Sequence, residues 1–385
     1  MLDRGLVLFF PAPASFTGED AAEFHVHGGR AVVAAVLEAL SCLEGFRPAQ
    51  AGEFTRRAFG NERLDLTQVE GLADLVAAET EAQRRLALRQ SDGTIARLYE
   101  NWRERLVRAR ALIEAELDFS DEEDIPASSS SESWAIAEAV RREILNHVDD
   151  RRGERVREGV EIVILGPPNA GKSSLLNAIA RRDVAIVTAE PGTTRDMIEV
   201  RVDLGGYAAT LVDTAGLREA EGLVEREGVR RAEARAAKAD MVLWLNDIRN
   251  GPAAPRSLAE NVVRIATKID LIDSAAERAR LSAGFDCGVS SVSGAGVTEL
   301  LERLGKLVAA ELGGAETAVA IRARHRAALK ACAEAIAAAL QEDGRGLELR
   351  AEDLRRAGDA LGRVTGRIGV EDLLDVVFRD FCIGK

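Results

Sequence analysis

The segment that most constrains this chain is residues 166–174, which read Gly-Pro-Pro-Asn-Ala-Gly-Lys-Ser-Ser. An apolar, β-branched run at 160–165 precedes it, and helix-forming residues at 175–179 follow. This strand–loop–helix order is typical of a P-loop, whose backbone amides surround phosphate oxygens at a helix N-terminus. Lys172 can reach the terminal phosphates, and the Ser173 hydroxyl can bind Mg²⁺. The pattern predicts a nucleotide site rather than a chance glycine-rich turn.

The surrounding residues, 160–310, alternate strand-like and helix-like segments, which predicts a mostly parallel sheet with crossover helices. We predict strands near 160–165, 198–203, 208–212, 241–245, 262–266 and 285–289. Helices are predicted near 172–181, 223–238 and 297–312.

Helical periodicity begins before this unit, at Leu66, and resumes after Gly313 and Gly314. Within the first helical part, a break at residues 126–131 precedes another helix at about 134–148. The predicted fold class is therefore α/β plus α, with a P-loop nucleotide-binding domain inserted into a discontinuous helical domain. The predicted domain boundaries are 1–65, 66–155, 156–312 and 313–385.

The first 65 residues predict a small α/β domain ahead of the helical one. Leu6–Phe10 and residues 23–27 are strand-like, and residues 31–40 read as an apolar helix. Because the chain opens almost directly on a strand, we expect the first part of this domain to be missing from the sequence.

Charge and cysteine usage exclude several classes of protein. A net charge of −13 does not suit a self-sufficient RNA-binding protein, so a partner would supply phosphate-binding surface if RNA is a substrate. The four cysteines and four histidines show no metal-ligand spacing. The sequence contains no signal peptide and no apolar stretch of membrane length. We therefore expect a cytoplasmic protein without a membrane partner.

Two further motifs follow the P-loop in the order found in GTPases. Asp213, in the Leu-Val-Asp-Thr-Ala-Gly of residues 211–216, can hold a Mg²⁺-bound water, and the Gly216 amide can contact a γ-phosphate. Residues 191–196, Pro-Gly-Thr-Thr-Arg-Asp, lie where a switch threonine would complete the Mg²⁺ coordination.

A fourth motif, Thr267-Lys268-Ile269-Asp270, predicts recognition of guanine rather than adenine. Asp270 can accept hydrogen bonds from guanine N1 and N2, and the Lys268 stem can cover the base. Thr267 stands where Asn is usual, and its shorter side chain is expected to weaken binding without changing the base preference. Backbone amides for the guanine O6 are predicted at Ser290, Ser291 and Val292.

The residue after Asp-Thr-Ala-Gly is Leu217, where Ras-like enzymes have a glutamine that orients water. Leucine cannot do this, so either hydrolysis is slow or another group substitutes. Asn169 is a candidate ligand for a monovalent cation that would replace an arginine finger. The alternative is an asparagine that hydrogen-bonds within its own loop.

Five short motifs outside these segments resemble the tRNA modification GTPase family MnmE (TrmE). They are found at residues 15–20, 27–29, 51–59, 64–68 and, as Phe-Cys-Ile-Gly-Lys, 381–385. The resemblance covers the whole chain. It implies a tetrahydrofolate-binding and dimerisation domain at the N-terminus, and a homodimer that forms a heterotetramer with the FAD-containing protein MnmG (GidA). It also implies addition of an aminomethyl or carboxymethylaminomethyl group at C5 of the wobble uridine (U34) of certain tRNAs.

The resemblance also implies roles for individual residues. The GTP-binding residues would be Asn169, Ala170, Gly171, Lys172, Ser173, Ser174, Thr188, Ala189, Glu190, Pro191, Gly192, Thr193, Thr194, Asp213, Thr214, Ala215, Gly216, Thr267, Lys268 and Asp270. The Mg²⁺ ligands would be Ser173 and Thr194, and the K⁺ ligands Asn169, Thr188, Glu190 and Thr193. Glu225 would orient the attacking water, although from its position alone it reads as a solvated acid on a helix face.

For the folate, the matching residues are Glu23, Arg63 and Lys385, which would contact 5-formyltetrahydrofolate. Arg63 stands where Lys is common, which keeps the charge but alters the geometry. Cys382 is a candidate nucleophile for the modification chemistry, with a packed thiol as the alternative.

Two other functions are alternatives to potassium-stimulated GTP hydrolysis in tRNA modification. A ribosome-assembly GTPase could share Asn-Ala-Gly-Lys-Ser-Ser, but it predicts a C-terminal RNA-binding domain with a basic surface. The acidic helices and the Cys-Ile-Gly-Lys end argue against it. A truncated scaffold would bind GTP or a partner without modification activity. Glu225 and the switch threonines argue against the scaffold.

Overall fold

The computed structural model describes residues 1–118, 129–182, 184–186, 198–213, 234–252, 261–341 and 344–368. The chain divides into two compact units. A helical unit comprises Met1–Ala77, Ala87–Asp150 and Arg322–Lys385, and an α/β unit comprises Ala78–Leu86 and Arg151–Ile321. The helical unit is thus interrupted by the α/β unit, which confirms the predicted fold class.

The helical unit begins with an antiparallel pair of strands, β1 (Leu6–Phe10) and β2 (Ala21–His25). Strand β1 lies as predicted, whereas β2 lies two residues earlier than predicted. The pairing ends with Leu6 opposite His25. Beyond it, the backbone N–H of His27 donates to the carboxylate of Asp3 at 2.8 Å instead of extending the ladder. Two helices follow, α1 (Arg30–Ser41) and α2 (Glu53–Gly60).

Four more helices follow in the chain, and they are α3 (Leu66–Ala77), α4 (Glu81–Ser91), α5 (Thr94–Asp118) and α6 (Ser129–Val148). The first part of α4, up to Leu86, belongs to the α/β unit. Helix α6 begins five residues earlier than predicted, so residues 129–131 are helical rather than part of a break. A buried hydrogen bond joins the start of α6 to α5. Ser133 Oγ donates to the carbonyl of Ala109 at 2.6 Å, which satisfies the hydroxyl against the neighbouring helix.

Among the described residues, six strands form the sheet of the α/β unit, in the order β4-β5-β3-β6-β7-β8. They are β3 (Val160–Leu165), β4 (Ile198–Asp203), β5 (Ala208–Asp213), β6 (Met241–Asp247), β7 (Val262–Thr267) and β8 (Cys287–Gly288). Only β4 is antiparallel to its neighbour, so the prediction of a mostly parallel sheet is confirmed.

The helices of this unit are α7 (Arg152–Glu158), α8 (Lys172–Ala180), α9 (Ala275–Leu281) and α10 (Val297–Leu312). Helices α8 and α10 match the prediction, whereas the two seven-residue helices α7 and α9 were not predicted. Most of the helix predicted at 223–238 lies outside the described residues.

Two helices complete the helical unit, α11 (Ala323–Leu340) and α12 (Leu347–Thr365). They pack with α5 and α6 around a core that includes Tyr99, Trp102, Ile144, Leu329 and Leu361. None of the described helices is long and apolar enough to cross a membrane.

The register of the parallel strands determines where the loops of the α/β unit meet. Ile164, near the end of β3, is opposite Asp213 at the end of β5, and Leu165 is opposite Trp244 on β6. The carboxyl ends of β3, β5, β6 and β7 therefore share one edge of the sheet, where ligands of open α/β sheets bind.

Candidate nucleotide-binding site

The loop from β3 to α8 begins and ends with a glycine in an unusual conformation. Gly166 has a φ of 153°, and a Cβ built there would lie 2.3 Å from the carbonyl oxygen of Leu245 on β6. Gly171 has a φ of 89° and is directly followed by α8. The first amides of α8 have no intrahelical acceptor, so the loop presents donors and a positive helix end toward an anion.

Lys172 lies across this loop. Its Nζ donates to the carbonyl oxygens of Gly166 and Pro167, each at 3.0 Å. Burial lowers the pKa of this amine, and the charge of Asp213 partly opposes that effect. The ammonium group is therefore held at the mouth of the loop by two weak neutral acceptors, which phosphate oxygens can replace.

The structure brings together two oxygen ligands that are 40 residues apart in sequence. Ser173 Oγ donates to Asp213 Oδ2 at 2.5 Å, and Asp213 is fully buried at the end of β5. A hydroxyl beside a carboxylate suits Mg²⁺, which prefers hard oxygen donors. No described residues form a cluster of three or more acidic, His or Cys side chains that could hold a metal. Mg²⁺ here would take its other ligands from the nucleotide, from water and from the predicted ligand Thr194, which lies outside the described residues.

Asn169 has a left-handed backbone conformation, with a φ of 61°, and is exposed. Its side chain makes no hydrogen bond to the part of the chain that the structure describes, so bonding within its own loop does not explain it. Its assignment as a K⁺ ligand stays a prediction.

The predicted switch segments contain most of the other site residues. The remaining predicted nucleotide, metal and catalytic residues, which lie outside the described residues, are Thr188, Ala189, Glu190, Pro191, Gly192, Thr193, Thr194, Thr214, Ala215, Gly216 and Glu225. Their roles stay predictions.

The predicted base-binding loop follows β7 at the same edge of the sheet. Thr267 is buried, and its Oγ1 donates to the carbonyl of Asn246 on β6 at 3.1 Å. Lys268 has a φ of 58°, and its Nζ lies 3.2 Å from Oδ2 of Asp247. Asp270 is exposed within a single 3₁₀ turn, Ile269–Leu271, where its carboxylate can receive a ligand.

The predicted O6-binding loop is adjacent, because the backbone N–H of Ile269 donates to the carbonyl of Val289 at 3.4 Å. The N–H of Ser290 donates to the carbonyl of Ala295 at 2.9 Å, so this amide is engaged within its own loop. Contact with a guanine O6 would therefore depend on the amides of Ser291 and Val292, and Val292 is 90% exposed.

Two motifs near the N-terminus lie together in the helical unit. Asn61 Nδ2 donates to the carbonyl of Thr17 at 2.9 Å, which joins the 15–20 loop to the end of α2. Arg63 is exposed, and its stem lies against Gly18, where a Cβ would be 3.1 Å from Arg63 Cγ. Glu23 is also exposed and contacts His25 at 3.1 Å. Cys382 and Lys385 lie outside the described residues, so the folate and thiol assignments stay predictions.

Asn246 and Asp247 were not predicted as site residues, although they support Thr267 and Lys268. The sequence contains a signal for them. A polar Asn-Asp pair ends the otherwise apolar strand β6, which is the position where α/β proteins place ligand-binding side chains.

A P-loop after β3, a serine–aspartate pair beside it and a Thr-Lys-Ile-Asp loop after β7 define a P-loop GTPase. Residues 66–382 match the family model described as MnmE helical domain, and residues 1–63 match that described as GTP-binding protein TrmE N-terminus. The chain therefore belongs to the family of the tRNA modification GTPase MnmE, and the resemblance inferred from the sequence is confirmed.

Curated relatives extend over the whole chain. The tRNA modification GTPase MnmE of Mesorhizobium japonicum is 54% identical over 388 residues, which cover 100% of this chain and 87% of the relative. The protein of the same name from Parvibaculum lavamentivorans is 56% identical over 393 residues, with coverage of 100% and 87%. A crystal structure of Era in complex with MgGDPNP and nucleotides 1506–1542 of 16S ribosomal RNA is 25% identical and covers 38% of this chain and 56% of that chain, at a TM-score of 0.31.

Proposed function

We propose that this protein hydrolyses GTP in a reaction that modifies tRNA at C5 of the wobble uridine, together with a partner of the MnmG type. The relatives over the full chain are named tRNA modification GTPase MnmE, which supports the tRNA substrate. The contact between Ser173 and Asp213 beside Lys172 carries the hydrolytic part of the proposal. It supports a phosphate and Mg²⁺ site built by the chain's own folding.

The nucleotide would bind by exchanging contacts that the site already holds. Phosphate oxygens replace the carbonyls of Gly166 and Pro167 around Lys172 Nζ. Ser173 Oγ would hold Mg²⁺, and the Asp213 carboxylate that now accepts from this hydroxyl would accept hydrogen bonds from water. Bound Mg²⁺ supplies positive charge that offsets the charge of the transferred phosphoryl group. Asp270 accepts from the guanine N1 and N2 groups, and an adenine would leave this carboxylate unpaired.

The remaining parts of the proposal concern the predicted partners and cofactors. Asn169, Thr188, Glu190 and Thr193 would bind a K⁺ ion that takes the place of an arginine finger, and Glu225 would orient water. Residues 1–65 would bind a tetrahydrofolate and form a homodimer, and residues 66–155 and 313–385 would flank the GTPase domain at 156–312. The protein would act in the cytoplasm.

The test is GTP turnover in KCl and in NaCl for the wild-type chain and three variants. We expect faster turnover in KCl, and a loss of about 100-fold in kcat/KM for Lys172→Ala, which removes the phosphate contact. Glu225→Ala should retain GTP binding and lose turnover. Lys306→Ala is the matched control, because Lys306 is an exposed lysine on α10. Equal turnover in both salts would refute the K⁺ site, and an active Lys172→Ala protein would refute the P-loop assignment.

A further inference from the structure

Asp247, the last residue of β6, is a largely buried carboxylate between two cations. Its oxygens accept from Nε and Nη2 of Arg249 at 2.8 and 2.7 Å, and Oδ2 lies 3.2 Å from Nζ of Lys268. The side chain of Asp247 is only 8% exposed, whereas those of Arg249 and Lys268 are 55% and 35% exposed. None of the motifs that predicted the nucleotide site includes Asp247.

The carboxylate constrains Lys268 because a buried charge needs partners. A carboxylate removed from water is destabilising unless cations and hydrogen bonds compensate it. The hydrogen bonds of Arg249 hold the pKa of Asp247 well below its usual range, so the group stays ionised at neutral pH. The flexible Lys268 side chain is therefore constrained at both ends. Its backbone has the left-handed conformation, and its ammonium group contacts Asp247.

The residues before Lys268 and Asp247, which are Thr267 and Asn246, also contact each other. Thr267 Oγ1 donates to the carbonyl of Asn246, and Lys268 Nζ contacts the side chain of Asp247. Two consecutive residues at the end of β6 thus hold two consecutive residues of the base-binding loop. Asparagine is usual at position 267 and could reach across to another loop, whereas threonine bonds locally to the adjacent strand.

We propose that Asp247 is a positioning residue for base recognition, which holds the Lys268 stem where it covers the guanine ring. The proposal rests on the proposed GTP site and adds a residue to it. Asp247 acts through Lys268 and does not itself contact the nucleotide. Its effect should therefore appear in the affinity for the base and not in the affinity for the phosphates.

A purely structural role is the competing explanation, since Asp247 also accepts from the backbone N–H of Arg249 at 3.1 Å and caps the 3₁₀ turn Ile248–Asn250. Asp247→Asn separates the two roles. Asparagine retains an acceptor for the cap but removes the charge that attracts Lys268. The matched control is Asp286→Asn, because Asp286 also accepts from an arginine, Arg303, and from a backbone N–H, that of Arg264.

The experiment measures displacement of a fluorescent GDP derivative by GTP and by Mg²⁺-tripolyphosphate, which lacks a base. It uses the wild-type chain, both Asp→Asn variants, Lys268→Ala and the double variant Asp247→Asn/Lys268→Ala. We expect Asp247→Asn to weaken GTP binding about three- to tenfold, the range for a partly buried ion pair that orders a lysine. Tripolyphosphate affinity should not change, Asp286→Asn should match the wild type, and Lys268→Ala should remove any further effect of Asp247→Asn.

Parallel losses of GTP and tripolyphosphate affinity would overturn the inference, because they would indicate a disturbed fold. Equal losses from Asp247→Asn with and without Lys268 would overturn it as well, as would unchanged GTP affinity. If the wild-type chain did not bind GTP at all, the proposed function would fail together with the inference. Normal wild-type binding with an unaffected Asp247→Asn variant would refute the inference alone.

Discussion

At the scale of single residues, Gly166 shows how strictly the sheet determines the shape of the phosphate loop. A methyl group there would approach the Leu245 carbonyl oxygen to 2.3 Å, and this atom belongs to the backbone of a central strand that cannot easily move. The φ of 153° adds strain for any residue with a Cβ. The start of the loop is therefore held against β6 as well as connected to β3.

We expect Gly166→Ala to destabilise the α/β unit by about 2–4 kcal/mol and to reduce nucleotide affinity, because backbone must shift to remove the clash. Gly205→Ala is the control. Gly205 has a φ of 66°, but a Cβ there meets nothing within 4 Å, so the expected loss is about 1 kcal/mol and affinity should be unchanged. Urea unfolding and GDP titration measure both effects. Similar results for the two variants would argue against the close contact with Leu245.

The site residues that were predicted from the sequence belong to short motifs or lie at recognisable strand ends. Lys172 and Ser173 follow from one local motif, and Asp213 follows from its position at the end of a strand. For Asp247, the polar pair that ends β6 indicates a candidate site residue but not what it contacts. Its contact with Lys268 depends on β6 lying beside β7, and no short stretch of sequence specifies that pairing.

At the scale of elements, one buried ion pair joins α3 to α11 within the helical unit. Glu70, 1% exposed, accepts from Nε and Nη2 of Arg324 at 2.7 and 2.6 Å, and from the His325 ring at 3.0 Å. Burial alone would raise the pKa of Glu70, but the hydrogen bonds and charges of His325 and Arg324 hold it at about 2. Burial lowers the pKa of His325, against the pull of Glu70.

These shifts predict a loss of stability on acidification. Below its ordinary pKa of about 6.5, His325 takes up a proton more readily in the unfolded chain than in the folded one. The contribution of Glu70 is present above its ordinary pKa of about 4.5 and is lost as the pH falls toward 2. Both effects lower the stability of the folded chain as the pH falls. Thermal unfolding followed by circular dichroism should therefore show a decline that begins near pH 6.5 and steepens below about 4.5.

The variant Glu70→Gln tests the source of this decline. We expect it to reduce stability at pH 7 by about 1–3 kcal/mol, because it removes the charged acceptor of the partly buried Arg324 and of the buried His325. The slope below about pH 4.5 should become shallower than in the wild type. Glu352→Gln is the control, since Glu352 is an exposed partner of Arg355 on α12 and its loss should change little. An unchanged acid slope in Glu70→Gln would contradict the assignment to this pair.

The elements that sequence patterns predicted best are long or strongly apolar, such as β3 and α10. Two short helices were missed for different reasons. Helix α9 does carry a local signal, since Ser274 Oγ accepts from the N–H of Glu277 in a Ser-x-x-Glu capping sequence. Helix α7 carries none. Its Gly153 packs so closely that a Cβ would lie 2.9 Å from the carbonyl of Ala320, a contact between residues far apart in sequence.

At the scale of the whole molecule, each compact unit has its own core. Trp102 lies in the core of the helical unit, and Trp134, in the same unit, lies under Arg350 at 3.9 Å from the ring centroid. Trp244, the third tryptophan, packs with Val163 and Leu165 in the α/β unit. Fluorescence can therefore report on the two units separately. A Trp244→Phe variant keeps only the tryptophans of the helical unit, and a Trp102→Phe/Trp134→Phe double variant keeps only that of the α/β unit.

We expect GDP with Mg²⁺ to stabilise the α/β unit and to leave the helical unit unaffected, because all the described residues of the nucleotide site belong to the α/β unit. At a ligand concentration of 100 Kd the gain should be about 2.7 kcal/mol in the free energy of unfolding. When GDP and Mg²⁺ are added, the unfolding transition of the double variant, which reports on the α/β unit, should move to a higher urea concentration. The transition of Trp244→Phe, which reports on the helical unit, should not move. ADP at the same concentration is the control for base specificity and should move neither. Equal shifts in both variants would instead show that the two units unfold as one cooperative body, since ligand bound to one unit would then stabilise both.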